Sequence, residues 1–413
     1  MLISLIIPTR ERATYLAECV RTATAIDDPG IEIVVSDNAS TDGTAEVMAA
    51  QRDPRIVSLR TDRRVSMRQN FEFALERSRG DYVIFIGDDD GFLPRQFPAL
   101  RMILERERPE VFTWQPLTYG WPIPGFGKRV GGVRFHRTRA FAPPRHIDLL
   151  PARARLLRAD LAELGPTPSI YHGCASRAHL ERMRGAGGHV FGARSPDVYL
   201  SYHTVLSCRA FLHSRHPFSV NGYSPVSTGN ASHAYASSDP RSRPASRFVQ
   251  EALQDPVTDA IRTESTSLHL NLLASFETAR ITLAVDPREV DYASWYAYVR
   301  HSAASDEPEG RRQVESAIEL HARENGQGDA LERSRATRPR RRRFVKFTSK
   351  LASHLGTIKC SAAQGNVNTV CTAAALADEV LADEYLAIIQ ADRPDPRAWP
   401  RSFGRALRRK FAG

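Results

Sequence analysis

Over its first ninety residues the chain alternates between short apolar runs and stretches with helical spacing. "LISLIIP" is an apolar run that Pro8 ends. In "RERATYLAECVRTATA", Tyr15, Leu16, Cys19, Val20 and Ala23 recur at the spacing of one helix face. "IEIVVSD" predicts a second strand, and "STDGTAEVMAAQ" a helix with a Ser/Thr/Asp start. "RIVSLR" predicts a third strand, "SMRQNFEFALERSRG" a helix closed by Gly80, and "DYVIFIG" a fourth strand. The order βαβαβαβ with short joints predicts right-handed crossovers and a parallel sheet covered by helices. The unbroken apolar strands fit a sheet buried on both faces.

From about Gly91 to Tyr235 the pattern loosens into Pro-, Gly-, Trp- and His-rich stretches such as "WQPLTYGWPIPGFGKRVGG". Residues 236–246 are rich in Ser, Pro and Arg and predict a linker. After it, "FVQEALQDPVTDAIRTESTSLHLNLLASFETARI" and "AALADEVLADEYLAIIQA" show i, i+3, i+4 apolar spacing. The expected organisation is therefore an α/β domain over 1–235, a linker over 236–246 and a mainly helical region over 247–413. The domain divides into halves at 1–95 and 96–235.

Composition is that of an ordinary globular protein, with 42% hydrophobic and 25% charged residues among 413. No apolar run reaches the roughly 18 residues of a membrane span. The N-terminus lacks a basic leader and a small-residue cleavage site, so no signal peptide is expected. Five scattered cysteines without CxxC spacing argue against a disulfide framework or a zinc site, and a cytoplasmic location is the expectation. The net charge of +10 raises the question of nucleic acid, but nine Lys/Arg lie in Arg333–Lys350 and five more in Arg401–Gly413. Taking those fourteen away leaves the rest slightly acidic, so no specific nucleic-acid partner is expected.

Three polar groups stand where strands end. "PTRER" follows strand one, "SDNASTDGT" strand two, and "GDDD" strand four. In open α/β sheets ligands bind beyond the carboxyl ends of the strands. Asp88, Asp89 and Asp90 supply oxygen ligands at a density that suits Mg²⁺ or Mn²⁺ completed by phosphate oxygens. The structural alternative is a solvated acidic turn or a helix cap. Asp37, at the tip of strand two, is suited to accept hydrogen bonds from a nucleobase edge or a ribose hydroxyl. Its alternative is an Asx-turn that caps the next helix.

"SLIIPTRERATYL", "IEIVVSDNASTDGT" and "RGDYVIFIGDDDGFLP" together resemble the signature of family 2 inverting glycosyltransferases. The resemblance covers about the first 95 residues. It implies a GT-A fold, a nucleotide-diphosphate sugar donor and a divalent metal on a DXD motif. It places Pro8, Thr9 and Arg12 along the nucleoside and Asp37 at the base. Asp88 and Asp90 become the metal pair, with Asp90 nearest the metal, and Asp89 adjoins the donor. Glu11 departs from the family pattern, where asparagine is usual. Arg64, Arg68 and Asn70 either face the sugar or diphosphate or are exposed polar positions.

The family's base is an Asp or Glu about a hundred residues further on, and "GARSPDVYLSYHTV" offers Asp197 near a predicted helix start. Its alternative role is a helix cap. Tyr171–Gly173 and Asn221–His233 are candidate acceptor or diphosphate loops, with His172 expected to be structural. The implied reaction moves a sugar to a hydroxyl of a glycan or lipid-linked saccharide. The alternatives are a sugar nucleotidyltransferase, or a catalytically inactive binding protein of the same fold. Apolar stripes flanked by Lys/Arg, at Phe344, Phe347, Leu351, Leu355 and at Phe403, Leu407, Phe411, suit an anionic membrane surface. Peripheral attachment at the inner face of the cell membrane is the matching expectation.

Overall fold

The structure is a computed structural model that describes residues 1–122, 131–136, 140–185, 187–224, 243–257, 259–303, 308–337 and 357–412. The first apolar run forms β1 (Ile3–Thr9), in which every residue except Pro8 is buried. It lies between β2 (Ile31–Asp37) and β4 (Tyr82–Phe85), parallel to both. β3 (Ile56–Arg60) extends the sheet beyond β2. Successive side chains of a strand point to opposite faces. Ile3, Leu5 and Ile7 therefore enter one core, while Ile6, Val34 and Val83 enter another. α1 (Ala13–Thr24) and α4 (Phe97–Glu107) cover the first face; α3 (Met67–Arg77) covers the second. α2 (Thr44–Ala49) completes the crossover between β2 and β3.

The sheet continues through β10 (Gly173–Ser176), β6 (Val111–Trp114), β11 (Ala210–Ser214) and β9 (Arg145–Asp148), in the order β3-β2-β1-β4-β10-β6-β11-β9. β10 runs antiparallel to both β4 and β6, so the eight-stranded sheet is mixed with a parallel nucleus. This is the α/β architecture expected of a GT-A fold. A second sheet, in the order β13-β8-β7-β12-β5, joins β5 (Gly91–Phe92), β7 (Leu117–Gly120), β8 (Gly132–His136), β12 (Ser219–Tyr223) and β13 (Thr357–Ser361). β5 follows the aspartates directly, and β12 pairs with it. This pairing brings Asn221 and Gly222 alongside the Asp88–Asp90 turn.

α5 (Leu150–Leu156), α6 (Arg177–Met183) and α7 (Pro196–Ser207) pack on the second face. The expected linker falls mostly outside the described residues, and its last four positions lie in α8 (Arg243–Leu253). The later helices divide between the two cores. α9 (Leu268–Thr282), α10 (Tyr292–Ser302), α11 (Pro308–Glu324) and α12 (Gly328–Ala336) join the second. α13 (Val370–Leu381), α14 (Glu384–Ala391) and α15 (Ala398–Ala412) join the first. The C-terminal region is mainly helical, as expected, but it also lends β13 to a sheet.

Among the described residues no helix is long and apolar enough to cross a membrane. The stripe at Phe344–Leu355 lies outside the described residues. On α15, Phe403 and Leu407 pack, partly buried, against the first core. Arg401 and Arg405 pair with Glu384, and Arg409 pairs with Glu379. An amphipathic helix with a basic polar face looks the same in sequence whether its apolar face meets lipid or protein.

Candidate active site

A cavity of about 570 Å³ opens beyond the carboxyl ends of β1 and β4. Pro8, Thr9 and Arg12 form one wall and Gly87–Asp90 its floor. Tyr171 and Asp197 stand opposite, and Arg247, Phe248 and Glu251 of α8 close a further side. The floor is held from several directions. Thr9 Oγ1 donates to Asp88 Oδ2 at 2.7 Å, and Arg12 donates to Asp88 Oδ1 at 2.9 Å. Ser224 Oγ donates to Asp89 Oδ2 at 2.5 Å. Asp90 accepts from the Gly87 N–H at 2.7 Å, Tyr171 Oη at 2.6 Å and the Gly222 N–H at 2.8 Å. Two glycines make this packing possible. A Cβ on Gly222 would lie 1.6 Å from the Asp89 carbonyl oxygen. A Cβ on Gly87 would meet Tyr171 Oη at 2.6 Å, Asp89 Oδ1 at 3.0 Å and Asp90 Oδ2 at 3.1 Å.

Three adjacent carboxylates, each at most 3% exposed, create a charge problem. Burial pushes the Asp89 carboxyl up to about 7, and the neighbouring Asp90 adds to the rise. The Arg12 guanidinium opposes it, and is itself raised by Asp88 and Asp89 against the effect of its own burial. Tyr171 rises well above the ordinary phenol range, through burial first and then Asp90 and Asp89. Asp89 Oδ1 accepts no hydrogen bond from the described residues, and His172 Nε2, 3.3 Å from Asp90 Oδ2, is buried without a hydrogen-bond partner. An all-oxygen set with excess negative charge and a pocket over Gly87 fits a hard divalent cation.

Asp197 is the second residue of α7, behind Pro196. Its carboxyl is raised by burial, only partly offset by the backbone N–H of Val198. The start of α7 is fastened from outside: Asn271 of α9 donates through Nδ2 to Ser195 Oγ at 2.6 Å. Asn271 Oδ1, also in the cavity wall, makes no hydrogen bond. A carboxylate held at a helix start and kept basic by burial is arranged to accept a proton.

Residues 4–165 match the family model described as Glycosyl transferase family 2. That part of the chain is therefore similar to the glycosyl transferases of family 2. Over 112 residues it is 33% identical to abequosyltransferase RfbV of Salmonella typhimurium, a stretch that covers 26% of this chain and 34% of that protein. It is 32% identical over 99 residues to an uncharacterised protein of Mycobacterium tuberculosis, covering 24% of this chain and 31% of that one. The chain thus spans about a third of the length of the curated relatives it matches. Among solved structures, residues 1–349 of S. aureus TarS, in complex with UDP-GlcNAc, align with a TM-score of 0.44 and 17% identity, over 81% of this chain and 91% of that one. The mannosyltransferase PcManGT of Pyrobaculum calidifontis, in complex with GDP-Man and Mn²⁺, aligns with a TM-score of 0.37 and 17% identity, over 81% and 86%.

Most of the residues singled out in the sequence meet at the cavity. Pro8, Thr9, Arg12, Asn70, Asp88, Asp89, Asp90 and Asp197 all line it. Arg64 lines it as well, paired with Glu11. Glu11 adopts a left-handed φ of 54°, and its carboxylate accepts from the Thr41 N–H and hydroxyl. The helical polar positions are not exposed: Asn70 is 4% and Arg68 2% exposed. Arg68 is turned away from the cavity and held by Asp255, with Nε–Oδ2 and Nη2–Oδ1 both at 2.7 Å. Asp37 ends β2 as expected but is engaged by Arg60 and the Ser40 N–H, and its neighbour Asn38 lines the cavity instead. Asp90 is the most tightly held of the three aspartates; the oxygen left open belongs to Asp89.

The α8 wall was missed. Its signal is an acidic residue every fourth position, at Glu251 in α8 and at Asp255 and Asp259 just beyond it. Each pairs with an arginine from elsewhere in the chain: Arg10, Arg68 and Arg194. Asn221 and Gly222 line the cavity, whereas 225–233 of the loop expected there lies outside the described residues.

Proposed function

We propose that this chain is an inverting glycosyltransferase, transferring a sugar from a nucleotide-diphosphate donor to a hydroxyl of a glycan or lipid-linked saccharide. The observation that carries the reading is that the Asp88–Asp90 floor, Arg12 and the basic Asp197 face one cavity. Pro8, Thr9 and Asn38 line the nucleoside end, and Arg12 lies where it meets the diphosphate. Asp88 and Asp90, with Oδ1 of Asp89, are the residues to hold Mg²⁺ or Mn²⁺; bound there, the ion neutralises the diphosphate of the donor.

Transfer is a single displacement. The acceptor hydroxyl attacks the anomeric carbon from the Asp197 side while the bond to the diphosphate oxygen breaks. Asp197 takes the hydroxyl proton, which requires hydrogen-bond reach and a carboxylate more basic than usual. Ser195 and Asn271 fix the start of α7, and so the direction from which Asp197 acts. The abequosyltransferase relative supports a hexosyl or deoxyhexosyl donor. The test is nucleoside-diphosphate release from a panel of nucleotide sugars with Mn²⁺ present. Release by the wild type that falls at least about a hundredfold in Asp197→Asn, with donor affinity kept, supports the assignment. Equal turnover by the two proteins removes Asp197 from the mechanism.

A further inference from the structure

A second group of ligand-type side chains lies at the far end of α7, about 16 Å along the helix from Asp197. Glu110, in the turn before β6, His179, on α6, and Cys208, which caps α7, place one carboxylate oxygen, one ring nitrogen and one sulfur within 4.8 Å of one another. Glu110 Oε2 is 3.7 Å from His179 Nδ1 and 3.6 Å from Cys208 Sγ. Zinc bonds of about 2.0–2.3 Å at tetrahedral angles separate N from O by about 3.4 Å and S from O by about 3.6 Å. Two of the three spacings are therefore close to those of ligands around one ion, and the third lies within 4.8 Å.

We propose that Glu110, His179 and Cys208 form a site for Zn²⁺ or a similar borderline divalent cation, with solvent in the fourth position. The mixed N, O, S donor set selects that class over Mg²⁺ or Ca²⁺, which take oxygen. The surroundings are built for it. His179 Nε2 hydrogen-bonds Thr204 Oγ1 at 3.1 Å, fixing the ring so that Nδ1 faces the other two ligands. Arg182 holds Glu110 Oε1 at 2.5 Å and leaves Oε2 turned inward. The site also sits at the C-terminal end of α7, where the helix dipole favours a cation. The ion would tie that end of the Asp197 helix to the edge of β6, and it is separate from the all-oxygen site in the cavity.

Co²⁺ titration of the full reduced chain distinguishes the two sites, because Cys208 offers a thiolate here, whereas Cys19 behind the aspartate floor is fully buried with its thiol turned to the Gly87 carbonyl. One equivalent of Co²⁺ should produce a thiolate-to-metal absorption band that Zn²⁺ displaces. The band should be absent in Cys208→Ser and persist in Asp89→Ala. Glu110→Gln, a change at a half-exposed side chain that leaves folding intact, should weaken binding at least about tenfold. Absence of the band from the wild type, or an unchanged band in Cys208→Ser or unchanged affinity in Glu110→Gln, overturns the proposal.

Discussion

The Arg68–Asp255 pair gives the sharpest test of how the cavity is walled. Both side chains are almost fully buried, at 3% and 2% exposure. Asp255→Ala strips the guanidinium of two hydrogen bonds and leaves the Ser66 hydroxyl and the Val257 N–H without their acceptor. Breaking a buried pair by removing one partner costs about 3–5 kcal/mol. The two hydrogen bonds given to the carboxylate by neutral donors add about 3–6 kcal/mol together. At about 2 °C per kcal/mol for a chain of this size, Tm should fall by roughly 12–22 °C. Replacing both charges, in Arg68→Met with Asp255→Leu, removes the uncompensated ion and should recover at least half of that loss. Thermal unfolding of the three proteins reads the cycle. If Asp255→Ala stays within about 1 kcal/mol of the wild type, or the double variant is no better, the pair is not the anchor described here. The double variant also tests the site, because Arg68 faces away from the cavity. Its affinity for nucleotide should stay within about threefold of the wild type's, a factor worth less than about 1 kcal/mol.

Other consequences are as specific. Asp197→Asn should lose about 10²–10⁴-fold in turnover. The wild-type rate should rise with pH as Asp197 ionises, through a value above the ordinary carboxylate range, since burial raises its carboxyl; a pH–rate profile checks the shift, and the Asn variant should lack that limb. Tyr171→Phe removes a 2.6 Å hydrogen bond to a buried carboxylate and should destabilise by about 1.5–3 kcal/mol, read by denaturant unfolding. Gly222→Ala forces a methyl group onto the Asp89 carbonyl. It should abolish metal-dependent nucleotide binding in calorimetry while circular dichroism stays close to that of the wild type.

Much of this was legible in the chain because the information was local. The strands, the crossovers and the order of the polar loops follow from apolar period and turn residues. The parallel register then sets Thr9 opposite Asp37 with no further information. What was not legible depends on distant partners. Asn70 and Arg68 sit on one helix, yet only tertiary packing decides that Asn70 lines the cavity and Arg68 meets Asp255, 187 residues away. The α15 stripe was ambiguous for the same reason, since its apolar face fits lipid and protein equally. Ser224 engages Asp89 Oδ2 and the Gly222 N–H engages Asp90 Oδ1, and both approach only through the pairing of β12 with β5.

If the aspartate floor and Arg12 hold a nucleotide diphosphate with a divalent ion, nucleotide binding should depend on the metal and on the aspartates. Calorimetric titration of UDP, GDP, CDP and TDP, with and without Mn²⁺, tests it on the wild type and on Asp88→Ala and Asp90→Ala. One nucleotide should bind, Mn²⁺ should strengthen it at least about tenfold, and both variants should lose the Mn²⁺ effect. A folded wild type that binds none of the four, or binds one with the same affinity in both variants, would contradict it.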